Sequence, residues 1–578
     1  MSGKEQTYEI ERVESYKDLI ERSCRLYGER PLFKFKKRMY KKGETPEFYY
    51  MTYNEAKHEM DCLGTYLNSL GLEDERVALL AKNRYEWMII YYSVTIGNKV
   101  IVPLDKALPD NEIISLCERS EAKAIIFEPQ YMDVIKKIKN KKLSNIEHFI
   151  CLDIDEEDEG IIPYKKALKI GEELLNGGDR RQVDCEVDKD KISIMLFTSG
   201  TTSISKAVML SQANVCANIN DLASVIKFSP EDSTLALLPF HHAFQTVINH
   251  MLVYIGGWMS FCDGLKYIQQ NLQEYKPTVM VSVPLILESI YKRIMKQVDK
   301  EGKTKLVRNM LKVTGVLNKL HIDVRRKVFK EIQDALGGNL RLIVSGAAPM
   351  DPQLTKDLTG FGFRIIQGYG LTETSPVLAV ESDFSSRIGS VGKKLPSFEM
   401  KIINPDEKGI GEVICKGPAV MLGYYKNNQA TQEAMIDGWY HTGDLGYIED
   451  DYLFLTGRKK NVIVQKNGKN IFPEELEILI GYIPGVLENM VYGKPTKDND
   501  LDVCVKIVYD EDDMKNIIGS LNEEEIYDYM KKKIKEINDK MPAYKHIRDI
   551  IITNEELIKT TTHKVKRHEE MKKLFNNK

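Results

Sequence analysis

Residues 192–206 read Ile192-Ser193-Ile194-Met195-Leu196-Phe197-Thr198-Ser199-Gly200-Thr201-Thr202-Ser203-Ile204-Ser205-Lys206, an apolar strand-like run that empties into hydroxyls, one glycine and one lysine. Backbone N–H groups of a tight turn, hydroxyl donors and an ammonium all address phosphate oxygens, and Gly200 admits an approach that a Cβ would block. The stretch predicts a phosphate cradle at the end of a strand. It is not a Walker loop, because the glycine before the lysine and the hydroxyl after it are both missing. A Ser/Thr-rich turn has the same composition, so the rest of the chain has to decide.

Three more apolar runs end in the same way. Residues 235–238 lead to Pro239-Phe240-His241-His242, 340–344 to Ser345-Gly346-Ala347-Ala348, and 364–366 to Gln367-Gly368-Tyr369-Gly370. Ligands of open α/β sheets bind at the carboxyl ends of strands, so the four tips are expected to meet at one site. Upstream, the capping box Thr52-x-x-Glu55 opens a helix whose face carries Ala56, Met60, Leu63, Leu67 and Leu70 up to Gly71. Strands at 77–80 and 100–104 flank a second helix over 85–96, an alternation that predicts a parallel sheet covered on both sides.

A charged, helix-favouring excursion at 292–336 reads as an insertion packed on the main body. Beyond about Lys401 come short strand-like pieces separated by Gly and Pro. From Arg458 a compact α+β segment is expected to end in the Lys/Glu-rich helix 523–538, with a hinge near Lys460.

The chain has 578 residues, 43% of them hydrophobic, enough for three or four units. A net charge of −3 offers no general attraction to nucleic acid. Nine cysteines stand singly with no C-x-x-C pair, which favours a reducing, cytoplasmic setting over zinc knuckles or a disulfide framework. The polar start, Met1 to Glu11, has no signal-peptide core, and the longest apolar stretch, 87–96, is too short for a bilayer. A soluble protein is expected. Peripheral membrane contact stays open, since the basic tail at 564–578 is what an ordinary helix surface also carries.

Two further stretches suit a nucleotide. Gly368-Tyr369-Gly370-Leu371-Thr372-Glu373-Thr374 sets a ring able to stack on a base beside a carboxylate able to hold a metal ion. Trp439-Tyr440-His441-Thr442-Gly443-Asp444 ends in a carboxylate suited to ribose hydroxyls, and Arg458 follows. Each could instead be a structural turn.

Taken in order, these motifs resemble the adenylate-forming superfamily of acyl-CoA synthetases, peptide-synthetase adenylation domains and beetle luciferases, over nearly the whole chain. The resemblance implies an α/β fold: a large AMP-binding domain, 1–459, with parallel sheets layered with helices plus a β-barrel-like subdomain, then a small mobile α+β domain, 460–578. It assigns phosphate binding to Thr198, Ser199, Gly200, Thr201, Thr202 and Lys206. Adenine contacts fall to Gly346, Ala347 and Ala348, and the base-stacking segment to Gln367, Gly368, Tyr369, Gly370 and Thr372. Ribose contacts fall to Asp444 and Arg458, magnesium to Thr201 and Glu373, the hinge to Lys460, and the adenylation lysine to Lys564 within Thr560-Thr561-Thr562-His563-Lys564. His242 becomes a gate or pocket residue. The chain departs from the family pattern with Ser203, Ser205 and Ala207 in the loop, Asn461 beside the hinge and His563 before the lysine, and the loop departures bear on phosphate handling.

The resemblance is nearest to long-chain fatty acyl-CoA synthetases, with Phe240, His242, Phe244, Val247, Ile248 and Trp258 as candidates for the acyl channel. It implies ATP, Mg2+ and coenzyme A: a fatty acid would become acyl-AMP with release of pyrophosphate, then a thioester. Loading of a carrier protein in trans and a non-catalytic nucleotide-binding regulator are the alternatives. Nothing in the chain speaks to its oligomeric state.

Overall fold

In a computed structural model, the described residues are 6–576 except 38–39, 41–43, 199–204, 467–468, 497, 499 and 561–563. They pack as two compact units. The first takes the chain up to Thr198, then 205–399 and Lys416–Gly438; the second takes Met400–Cys415 and Trp439 onward. This grouping puts the short-strand region with the C-terminal segment, whereas the sequence reading draws its line at 459/460. Packing alone does not say where a chain bends.

The first unit holds two sheets. In the larger, the strands Arg364–Gly370, Leu342–Ser345, Val279–Ser282, Ser233–Ala236, Trp258–Phe261 and Pro31–Lys36 lie side by side in parallel. Antiparallel strands close both edges. In the second sheet Ile192–Thr198 lies between Val100–Pro103 and the antiparallel strand Lys206–Ser211. The expected single set of four tips is therefore divided: three belong to one sheet, and Ile192–Thr198 belongs to the other.

Local chemistry explains the helices that carry these sheets. Thr52 and Glu55 form the reciprocal cap of the helix Tyr53–Ser69, satisfying two backbone donors that a helix start leaves open. Tyr85–Ile96 is apolar almost all round and buried on every side. Such a helix belongs inside a protein, where each fully buried Ile or Met contributes about 1.5–3 kcal/mol.

The excursion forms the helices Pro284–Lys300 and Thr304–Lys319 and two shorter ones, and docks through Val307, Phe329 and Ile332 on the cluster around Leu358 and Phe361. Gly368, Tyr369 and Gly370 lie inside a strand instead of beyond one, because Val377–Val380 pairs with them. Only glycine fits at 370, where a Cβ would stand 1.8 Å from the Pro376 carbonyl oxygen.

The second unit combines the antiparallel strands Gly411–Lys416, Trp439–Glu449 and Tyr452–Arg458 with a three-stranded sheet, Val486–Pro495, Leu501–Tyr509 and Asp549–Thr553. The helix Glu523–Asn538 forms where expected. It does not end the segment, since the strand Asp549–Thr553 and the helix Arg567–Asn576 follow.

Candidate active site

Each unit carries one part of the predicted constellation. In the first, Tyr424 pairs across strands with Val208 and brings two expected site residues to one ring. Its hydroxyl donates to Glu373 Oε1 at 2.9 Å, and the Lys206 ammonium lies 4.7 Å from the ring centre. The Met421 backbone N–H donates to the Glu373 carbonyl, fixing the turn from which that carboxylate projects. Glu373 Oε2 accepts no hydrogen bond from the described residues, which leaves an oxygen lone pair for a hard cation of the kind that takes one carboxylate together with phosphates. Tyr424 was not foreseen from the sequence, where it falls among the short strand-like pieces beyond Lys401.

The cradle residues Ser199, Gly200, Thr201 and Thr202, with Ser203, lie outside the described residues. Their flanks do not. Thr198 pairs in register with Lys206, and Arg119 donates to the Ser205 hydroxyl at 3.1 Å and to the Ser205 carbonyl. Burial pulls the Arg119 pKa down, and its guanidinium stacks over Phe197 at 5.3 Å. A second cation thus stands beside Ser205 and Phe197, in a place no local motif announces.

At the tips of the larger sheet, Ser345 and Gln367 are partners in the parallel register. The Ser345 Oγ and the Gln367 Nε2 are both buried and meet no hydrogen-bond partner among the described residues. Unmet buried polar atoms are costly, by roughly 1–3 kcal/mol each, and so mark a place where a ligand or water completes the bonding. Gly346 follows at once: a Cβ there would press on the Phe244 ring at 2.9 Å and on the Gly368 carbonyl at 3.3 Å. The next residue, Ala347, holds φ at 68°, a left-handed conformation that a non-glycine residue adopts under constraint.

Asn83, at the tip of the strand Arg76–Leu80, ties the two sheets together. Its amide donates to the Leu238 carbonyl at 2.8 Å and accepts from the Phe240 N–H at 3.1 Å. The turn it holds leads to His241, which lies 3.5 Å from Asp105, and to His242, the cap residue of the helix Ala243–Ile255.

Behind that turn is a mainly apolar cavity of about 20 Å³, room for one water-sized group. Phe240 and Val247 line it, as do Ile194 and Leu196 from the strand Ile192–Thr198 and Tyr91 and His250. Phe244 sits instead at Gly346, Ile248 is buried away from the cavity, and Trp258 carries the Lys34 ammonium 5.1 Å from its ring. His250 is neutral: burial lowers its pKa to about 3, and the Tyr92 and Tyr16 hydroxyls meet its ring nitrogens at 2.6 and 3.2 Å.

In the second unit, Asp444 and Arg458 face each other in register and ion-pair at 3.0 Å. The Thr442 hydroxyl, bonded to the Val413 carbonyl at 2.7 Å, accepts the Asp444 N–H at 3.0 Å. Lys459 pairs with Glu412 at 2.8 Å, and Lys460 lies in the turn Lys459–Asn461. Lys564 is exposed next to Val565, which bridges to Lys559, and its N–H donates to the Thr560 hydroxyl. Ion pairs hold the segments on either side. Lys559 bonds Glu488, Arg567 takes both oxygens of Glu477 at 2.5 Å, and Lys506 reaches the fully buried Glu570 at 2.9 Å. Burial raises the Glu477 pKa while Arg567 opposes it.

Residues 20–425 match the family model described as AMP-binding enzyme. Long-chain-fatty-acid–CoA ligase FadD15 of Mycobacterium tuberculosis is 28% identical, covering 77% of this chain and 75% of that protein. Long-chain-fatty-acid–CoA ligase 5 of Mus musculus is 29% identical over 79% and 70%. Fatty acyl-CoA synthetase B of Dictyostelium discoideum is 27% identical over 83% and 75%. Among solved structures, anthranilate CoA ligase AuaEII with anthranoyl-AMP superposes with a TM-score of 0.76 at 19% identity, over 98% of both chains. ATP-bound MatB from Rhodopseudomonas palustris gives 0.73 at 23%, over 96% of this chain and 99% of that one. These two likenesses establish the fold.

Proposed function

The chain belongs to the AMP-binding enzyme family, and from that premise we propose that it joins a long-chain fatty acid to coenzyme A in two steps, through acyl-AMP. The observation that carries the reading is the Lys206–Tyr424–Glu373 grouping beside the loop that follows Thr198. The relatives' own names favour fatty acid as the acid and CoA as the acceptor.

A carboxylate and ATP repel one another, so attack on the α-phosphorus needs neutralised phosphate charge and an in-line approach. Lys206 and Arg119, with the hydroxyls of the loop, supply positive charge and donors for the β- and γ-phosphates and for departing pyrophosphate. Tyr424 holds the Glu373 carboxylate in place. Glu373, with Thr201, would hold Mg2+, whose chemistry is to offset charge on the phosphate oxygens. Ser345 and Gln367 offer their unmet polar atoms to the nucleotide or the carboxyl group, and Asp444, oriented by Arg458, offers acceptors to the ribose hydroxyls.

Lys564 would add its ammonium during adenylation. Its neighbours Lys559 and Arg567 are tied to Glu488 and Glu477, so a shift of the C-terminal segment about Lys460 would carry the lysine with it. AMP then leaves the mixed anhydride when the CoA thiolate attacks the carbonyl. The acyl tail would follow Phe240 and Val247, whose cavity must widen to admit it, and each methylene buried there is worth about 0.8 kcal/mol. Unbridged cysteines suit a cytoplasmic setting. Acid-dependent AMP release, measured with CoA and with a pantetheinylated carrier protein as acceptors, tests the assignment: CoA should support turnover and the carrier should not.

A further inference from the structure

The helix Thr304–Lys319 shows two apolar faces. One docks on the body through Val307, Leu311 and Thr314. The other meets solvent. Leu306, Val313, Val316 and Leu320 are 53%, 59%, 59% and 63% exposed, and with Met310 and Leu317 they follow spacings of three and four residues, which place them on one stripe. Ile322, just beyond the helix, is exposed as well.

Charge borders this stripe on one side. Lys305, Arg308, Lys312 and Lys319 are exposed, fall on the adjoining helical face, and form no ion pair with the described residues. Lys303, by contrast, pairs with Glu301 and Glu331. Residues 292–336 contain thirteen Lys and Arg against five Asp and Glu, in a chain whose net charge is −3. The insertion is thus basic as a whole, and four of its cations border the exposed apolar side chains. No helix of the described residues is long and apolar enough to cross a membrane.

We propose that this face docks on an anionic lipid bilayer, with the helix lying in the plane of the interface, its apolar stripe among the acyl chains and its four cations at the headgroups. An apolar stripe with a basic border is what an interfacial helix requires. Bulk water wastes the stripe, and a neutral protein partner would leave the four cations uncompensated. Anionic headgroups meet both needs. The inference stands apart from the proposed reaction, since none of these residues belongs to the candidate active site.

The test is flotation of the full chain with phosphatidylcholine vesicles, with and without phosphatidylglycerol, at low and high salt. The chain should bind the phosphatidylglycerol vesicles, bind pure phosphatidylcholine at least about tenfold less, and release as salt rises. Two variant sets address the two components: Leu306→Ser with Val313→Ser, Val316→Ser and Leu320→Ser, and Lys305→Glu with Arg308→Glu, Lys312→Glu and Lys319→Glu. Each should cut vesicle binding about tenfold or more while leaving the melting temperature and the turnover of a short, water-soluble acid unchanged. Should one set disturb folding, the other decides. Absence of wild-type binding, equal binding to both vesicle types, or full binding by a folded variant overturns the proposal. So does lipid-free self-association that the serine set abolishes while vesicle binding persists.

Discussion

Asp444 and Arg458 stand opposite each other on neighbouring antiparallel strands, the guanidinium Nε 3.0 Å from the Asp444 Oδ1. The carboxylate is nearly buried and the arginine is about half exposed. One partner therefore depends on the other for its orientation. Arg458→Ala should raise the KM for ATP about tenfold or more, a loss of at least roughly 1.4 kcal/mol, and Lys at 458 should restore only part because it lacks the planar fork. ATP titrations of the exchange reaction read this directly, and an unaltered KM in Arg458→Ala would sever Asp444 from the nucleotide.

Tyr424 offers a separable pair of contacts. Tyr424→Phe keeps the ring beneath Lys206 and deletes only the hydroxyl that bonds Glu373, a hydrogen bond to a charged group worth about 1.5–3 kcal/mol. Adenylation should slow by roughly ten- to a hundredfold, with a rise in the magnesium concentration needed for half-maximal rate. Tyr424→Leu should be worse. Equal rates for wild type and Tyr424→Phe would remove Tyr424 from the site.

Lys564 and Lys460 distinguish the two half-reactions. Lys564→Ala should cripple acyl-AMP formation and leave thioester formation from supplied acyl-AMP largely intact. Lys460→Pro, which restricts φ at the proposed hinge, should do the reverse. Single-turnover assays of each step report the pattern, and parallel loss in both steps for either variant contradicts a swinging segment.

His250 sets an acid-side dependence of stability. Folded, it stays neutral down to about pH 3; unfolded, it takes a proton near its ordinary value of 6.5. Between those limits the unfolded state binds more protons, so stability is full above about 6.5 and declines as pH falls toward 3. The scale is about 1.4 kcal/mol per unit, an upper bound for a site that can relax. His250→Phe should be less stable at neutral pH, having lost two hydrogen bonds, yet show a flatter decline in melting temperature between pH 6.5 and 4. An identical slope would locate the acid sensitivity elsewhere.

Much of the fold was legible because its signals are local. Thr52 and Glu55 cap a helix three residues apart, and the alternation of strands with helices needs no long-range knowledge. Whereas 367–370 proved to continue its strand because Val377–Val380, distant from the apolar run that was read, pairs with it, the tip at 345–348 was legible for the same local reason. The division of the tips between two sheets was not, because strand order depends on which apolar runs pair, and Ile192–Thr198 looks no different from Leu342–Ser345 in composition. Tyr424, Arg119 and Asn83 escaped notice for a related reason. Each acts through a partner far away in the chain, and nothing in its immediate neighbours says so. The exposed stripe on Thr304–Lys319 was half visible: its charge is plain in the sequence, but which of its two apolar faces is covered is a fact of packing.

The most direct test of the central claim is isotope exchange between pyrophosphate and ATP with purified protein, magnesium and a series of saturated fatty acids, in the absence of CoA. Exchange should depend on the fatty acid, grow with chain length until the channel is filled, and vanish in Lys564→Ala. Protein that stays folded and binds ATP yet exchanges no label with any fatty acid would contradict it.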